Sequence, residues 1–156
     1  GGQYASAAVG EVNVVAKMKE VQAVIGGEGN GGVIVPDFHY GRDALIGIAL
    51  FMTHLAASGK KCSELRKQYP DYVISKNKIE LHAGTDLAAI FAAIRTKYAH
   101  LPQHTEDGLK IEFENDWVHL RSSNTEPIIR IYAESDLESK AAALAQQLMR
   151  DINEVS

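Results

Sequence analysis

The chain has 156 residues, enough for one well-cored domain or two small ones, and its 46% hydrophobic and 23% charged content is that of an ordinary soluble globular protein. A formal charge of −4 argues against a nucleic-acid partner, because phosphate backbones reward clustered Lys and Arg. The charge is uneven: residues 1–76 carry 8 basic and 7 acidic side chains and residues 77–156 carry 8 and 13, so Arg121 and Arg130 stand out from an acidic half.

The single cysteine, Cys62, cannot form an internal disulfide and reads as a small side chain near a helix start, which suits a reducing cytosol. No basic-then-apolar leader opens the sequence. The most apolar stretch, Ala44 to Met52, is too short to span a bilayer. A cytoplasmic protein with no membrane partner is expected. The chain opens at Gly1-Gly2 without Met, in what reads as mid-domain sequence, so an excised fragment of a longer protein is expected.

Val12, Val15 and Met18 lie at helical spacing among charges, which predicts a short amphipathic helix over 11–20. Ala23-Val24-Ile25 predicts a buried strand feeding the loop Gly26-Gly27-Glu28-Gly29-Asn30-Gly31-Gly32, and Val33-Ile34-Val35 predicts a second strand stopped by Pro36. Asp43 can cap a helix that runs to Ser58 and stops at Gly59. That helix is apolar nearly all round, so it should be covered on most sides. A short helix over 63–69 ends at Pro70.

Beyond Pro70, Tyr72-Val73-Ile74 and Ile79-Glu80-Leu81 read as extended pieces around a polar stretch. Thr85 opens a helix with Leu87, Ile90, Phe91, Ile94 and Tyr98 on one face. Leu109 to Glu114 alternates, turns at Asn115-Asp116 and continues as Trp117 to Leu120, a β-hairpin pattern. Ile128 to Ala133 predicts another strand and Leu137 to Ile152 a final amphipathic helix. The fold class is therefore α/β followed by α+β, with a boundary near Ser75: an incomplete mixed-sheet unit at 1–75 and an antiparallel sheet with helices at 76–156.

Two loops carry candidate chemistry. In Arg121-Ser122-Ser123-Asn124-Thr125-Glu126-Pro127, with Arg130 beyond it, two guanidinium groups bracket hydroxyl and amide donors, the chemistry that a phosphate dianion requires. The alternative is a polar turn with two surface arginines. In the glycine loop, Glu28 beside Asn30 offers an acceptor and a donor suited to vicinal sugar hydroxyls. A phosphate cradle is disfavoured there, because Glu28 would repel the anion and no Lys follows. A dinucleotide fingerprint fails too, because strand rather than helix follows the glycines. The alternative here is a plain hairpin turn.

Taken together, Gly27-Glu28-Gly29-Asn30-Gly31 followed by Arg121-Ser122-Ser123-Asn124-Thr125-Glu126-Pro127 and Arg130 resembles the α-D-phosphohexomutase superfamily. Val9 to Val14 and the loop after it are most similar to its phosphoglucosamine mutase and phosphomannomutase/phosphoglucomutase branches. The resemblance covers nearly the whole chain. It implies part of domain 3 over 1–75, and a TBP-like domain 4 over 76–156. It also implies sugar contacts from Glu28, Asn30 and Gly31, and phosphate contacts from Arg121, Ser123, Asn124, Thr125 and Arg130.

The resemblance further implies interconversion of hexose 1- and 6-phosphates through a phosphoserine enzyme and a bisphosphate intermediate. Phosphoglucosamine mutase is favoured over phosphomannomutase/phosphoglucomutase, and a non-catalytic sugar-phosphate-binding module is the alternative from another class. Mg²⁺ is the implied cofactor, with ligands outside this chain: neither a T-A-S-H-N-P-like serine loop nor a D-G-D-x-D-R-like metal loop is present. The fragment alone should be inactive and carries no catalytic residue. Its implied partners are a hexose phosphate, the remaining domains of the same protein and a second copy bound through exposed apolar surface. Many relatives have a His where Gly32 stands, and His39 is a weak substitute for it. A hinge is expected at 70–78.

Overall fold

A computed structural model describes residues 2–82, 84–123 and 125–155. The chain folds as two units, residues 1–69 and 70–156.

The first unit holds α1 (Glu11–Val21), β1 (Gly26–Glu28), β2 (Gly32–Ile34), α2 (Ala44–Ser58) and α3 (Cys62–Arg66). β1 and β2 pair antiparallel as a tight hairpin, with Gly27 opposite Val33. A side chain at Gly27 would strike the Gly32 carbonyl oxygen at 2.2 Å, so the hairpin closes only around glycine. The strand starts later than the apolar run suggests. The chain leaves α1 through Gln22 in the left-handed region (φ 53°), and Val24 and Ile25 are left exposed rather than paired.

Asp43 caps α2 as expected, its Oδ1 accepting from the N–H groups of Leu45 at 2.9 Å and Ile46 at 3.0 Å. Gly59 ends the helix at φ 64°. The expectation that α2 is covered on most sides is corrected: none of its residues is buried, and Leu45, Ile48, Leu50, Phe51 and Met52 are exposed. A two-stranded hairpin and a five-residue helix offer too little surface to enclose a 15-residue apolar helix. Among the described residues, only Met18, Ile34 and Leu65 are buried apolar side chains in this unit.

The second unit contains β3 (Val73–Glu80), α4 (Leu87–Lys97), β4 (Gln103–His104), β5 (Leu109–Glu112), β6 (Trp117–Ser122), β7 (Ile128–Ser135) and α5 (Glu138–Val155). The strands form one antiparallel sheet in the order β3-β7-β6-β5-β4. The two extended pieces expected around a polar stretch are one continuous strand, paired with β7 along all eight residues. The division expected at 75/76 and most of the 70–78 hinge therefore fall inside β3. The compact units meet at Tyr69 and Pro70 instead. The short strand β4 carries no sequence signal of its own.

Alternation decides which face is buried. Val118, Leu120, Ile129, Ile131, Ala133, Leu109 and Ile111 point to one side. There they pack against Ile90, Ile94 and Tyr98 of α4 and its C-cap, and against Ala145, Leu148 and Ile152 of α5. Each fully buried Ile or Leu contributes about 1.5–3 kcal/mol. Tyr98 locks the two helices together: its hydroxyl lies 2.5 Å from Asp151, which Lys97 also contacts at 2.8 Å, and Gln147 donates to the phenol oxygen at 3.0 Å. The opposite face of the sheet carries Lys78, His119, Arg121, Arg130 and Glu134 beside Trp117 and Tyr132, and this face holds the candidate site.

Candidate functional site

Register places Arg121 of β6 directly opposite Arg130 of β7, and Lys78 of β3 opposite Arg130 on its other side. Three cations thus stand in one row across three strands. Like charges at directly opposed positions destabilise a sheet, so the row must be offset by anions. One is resident. Asp107 Oδ2 lies 3.0 Å from Arg121 Nε, close enough for ion pairing but not aligned as a hydrogen bond, which leaves that buried nitrogen without a hydrogen-bond partner. Lys78 has Glu80 at 3.3 Å. Arg130 is exposed, and no described residue pairs with it.

Asp107 reaches Arg121 because Gly108, at φ 81°, lets the turn before β5 press onto β6. A Cβ there would meet the Leu120 carbonyl oxygen at 2.2 Å. The His119 ring contacts the Asp107 carbonyl oxygen from the same strand. Asp107 was missed by sequence reasoning. The Asp-Gly turn dipeptide ahead of an alternating strand was the available signal.

The turn after β6 is internally closed. Ser123 N–H donates to the Ile128 carbonyl at 3.0 Å, and Ile128 N–H to the Glu126 carbonyl at 2.8 Å. Ser123 Oγ accepts from the N–H groups of Thr125 and Glu126, both at 3.3 Å, and lies 3.4 Å from Thr125 Oγ1. Those two amides are thus already engaged. Among the described residues, the donors here left to a ligand are the two guanidinium groups and the hydroxyls of Ser123 and Thr125. Asn124 lies outside the described residues. The Pro127 carbonyl accepts from Leu81 N–H at 2.8 Å, tying the turn to the end of β3.

In the first unit, Glu28 ends β1, and its Oε1 accepts from Gly10 N–H at 3.1 Å. Its carbonyl accepts from Gly31 N–H at 3.0 Å, with Gly31 at φ 95°. Asn30 Oδ1 accepts from Gly32 N–H at 3.1 Å, so this side chain shapes the turn. The space in front of Gly32 is filled: a Cβ there would lie 2.7 Å from Arg42 Cδ. Arg42 Nε donates to Glu11 Oε2 at 2.7 Å, and Arg42 N–H to Glu11 Oε1 at 3.3 Å.

His39 turns to the helix cap instead, its Nε2 3.2 Å from Asp43 Oδ2. Hydrogen bonds from the Ile46 N–H and then from His39 hold the Asp43 carboxyl below its usual range. Sequence reasoning missed Arg42 and Glu11, because nothing in their spacing announces a contact across 31 residues.

Among the described residues, no three His, Cys, Asp or Glu side chains converge as a metal site, and no helix is long and apolar enough to cross a membrane. The architecture is an α/β unit followed by an α+β unit, with a carboxylate-bearing glycine turn in the first and an arginine-flanked polar turn in the second.

The comparisons with known proteins agree with that class. "Phosphoglucomutase/phosphomannomutase, alpha/beta/alpha domain III" matches residues 1–72, and the C-terminal domain of the same family matches residues 73–151. The chain belongs to the phosphoglucomutase/phosphomannomutase family, within the phosphohexomutase superfamily. It is 44% identical to a phosphoglucomutase/phosphomannomutase of Thermococcus kodakarensis, over 85% of this chain and 29% of that protein. A phosphoglucosamine/phosphogalactosamine mutase of Sulfurisphaera tokodaii is 35% identical over 91% of the chain and 32% of its own length. A probable phosphoglucosamine mutase of Methanopyrus kandleri is 32% identical over 96% and 33%. A crystal structure of a phosphoglucomutase/phosphomannomutase family protein from Burkholderia thailandensis superposes with a TM-score of 0.72 and 25% identity, covering 94% of this chain and 31% of that one. The chain spans about a third of the length of these relatives.

Proposed function

We propose that this chain is the substrate-gripping part of a phosphohexomutase that interconverts hexose 1- and 6-phosphates through a phosphoserine and a bisphosphate intermediate. The observation that carries the reading is the register pairing of Arg121 with Arg130 at the mouth of the Ser123–Pro127 turn. Two guanidinium groups held side by side are unfavourable until a dianion sits between them. In this reading Arg121, Ser123, Asn124, Thr125 and Arg130 hold the phosphate that is not being transferred. Glu28 accepts from sugar hydroxyls on a turn shaped by Asn30 and Gly31. An intermediate that must present either phosphate to the serine needs remote anchors that serve both orientations, and a hydroxyl reader and a phosphate grip meet that need.

The serine and a Mg²⁺ ion supporting charge on the moving phosphoryl group would come from the rest of the enzyme. The described residues of this chain offer the metal no ligand set. In this reading the chain alone is assigned binding without turnover. The exposed side of α2 is assigned to the remainder of the longer protein or, in its absence, to a second copy.

Phosphoglucosamine mutase is the favoured member, supported by the names of the Sulfurisphaera and Methanopyrus relatives. The 44% identity to the Thermococcus protein favours phosphomannomutase/phosphoglucomutase as the second reading. Assays of a full-length protein containing this segment against glucosamine, glucose and mannose phosphates separate the two. For the site itself, NMR titration with inorganic phosphate is expected to shift Arg121, Ser123, Thr125 and Arg130. Shifts confined to residues 39–60 would overturn the assignment.

A further inference from the structure

We infer that Arg42 is a sugar-binding residue, donating a hydrogen bond to a ring hydroxyl oxygen beside the hydroxyl that Glu28 accepts from. This rests on the reading of the glycine turn as the sugar-recognition loop.

Three observations converge. Arg42 lies across the turn itself, with Cδ and Cγ where a side chain at Gly32 would begin, at 2.7 and 3.2 Å. Its orientation is fixed from behind, because Glu11 takes both Arg42 Nε, at 2.7 Å, and Arg42 N–H, at 3.3 Å. Glu28 is tethered to the residue just before Glu11, through Gly10 N–H at 3.1 Å. Consecutive residues at the start of α1 therefore hold an acceptor carboxylate and a donor guanidinium beside one glycine turn. Among the described residues, none pairs with the two terminal nitrogens of Arg42, and its side chain stays half-exposed, at 53%.

Charge selects the ligand chemistry. Glu11 neutralises Arg42 and Glu28 adds a negative charge, so the turn repels a phosphate. What remains is a donor and an acceptor side by side, the complement of a vicinal diol, in which each oxygen can give one hydrogen bond and take another. Gly32 is the residue that leaves room for Arg42 over the turn.

The test uses the chain as it stands, with glucose 6-phosphate and inorganic phosphate as probes and the Arg Nε–Hε and backbone NMR signals as readout. Glucose 6-phosphate is expected to shift the Arg42 Nε–Hε signal together with the amides of residues 28–32, whereas inorganic phosphate moves neither. Arg42→Ala is expected to weaken glucose 6-phosphate about tenfold while leaving inorganic phosphate unchanged. Arg42→Lys, which keeps the charge and the backbone N–H contact but loses the Nε hydrogen bond to Glu11, should fall between. Shifts at 28–32 with Arg42 unmoved would overturn the proposal and leave the sugar loop standing. No shift at 28–32 would overturn both.

Discussion

Arg121 and Arg130 face each other as register partners across β6 and β7, with Lys78 next in the row. These like charges repel one another, and an anion held between them relieves the repulsion. Arg130→Gln is expected to stabilise the ligand-free chain by roughly 0.2–1 kcal/mol while removing most of the phosphate affinity. Thermal melts with and without inorganic phosphate check this: phosphate should raise the wild-type midpoint and leave the variant's unchanged.

Glu28→Gln should leave the glycine turn folded, because an amide oxygen can still accept from Gly10 N–H. What it loses is the charge that strengthens a hydrogen bond from a sugar hydroxyl. Calorimetry is expected to show glucose 6-phosphate weakened about tenfold and inorganic phosphate unaffected. Equal weakening of both would contradict the division of labour between the two turns.

Burial, then the Asp151 carboxylate at 2.5 Å, pushes the Tyr98 phenol up to about 12. The folded chain thus holds this proton more tightly than the unfolded one, whose phenol titrates near 10. The corresponding stability is fully present below about pH 10 and is lost as pH rises through the folded value of about 12. Tyr98→Phe should cost about 2 kcal/mol at neutral pH. The gap between wild type and variant, followed by chemical denaturation, should shrink across that alkaline window.

Gly108→Ala meets two obstacles at once: φ of 81° and a carbonyl oxygen 2.2 Å from the new Cβ. It should destabilise the second unit by about 2 kcal/mol. By moving the turn it should also loosen Asp107 from Arg121. Denaturant midpoints give the first effect. The Arg121 Nε–Hε signal gives the second.

The exposed apolar side of α2 should drive self-association of the isolated chain. Ile48→Lys with Met52→Lys, one helical turn apart, is expected to return it to a monomer in light scattering without loss of helical signal. A monomeric wild type would remove the argument.

The second unit was largely legible because its strands alternate and its helices are amphipathic, and both patterns are written locally. Leu109-Lys110-Ile111-Glu112 and Trp117-Val118-His119-Leu120 announced a hairpin that the sheet contains. Pairing between distant segments is not local, so the union of Val73–Glu80 with β7 and the existence of β4 were not readable. In the first unit, Asp43 and Gly59 marked both ends of α2. The covering expected from its apolar sequence concerned surfaces that these residues do not supply. The two turns could be picked out by residue type and order. Of the side chains that steady them, Asp107 showed only as half of an Asp-Gly turn and Glu11 not at all, because each acts across a fold-made contact.

The hydrogen-bonded ring around Ser123 has a consequence for how an anion would be captured. At Ser123, Thr125 and Glu126, conformational freedom that a floppy arginine-flanked loop would surrender on binding has already been surrendered during folding. Recognition at this turn then approaches a rigid-body event, with association set mainly by encounter and release by the strength of the contacts themselves.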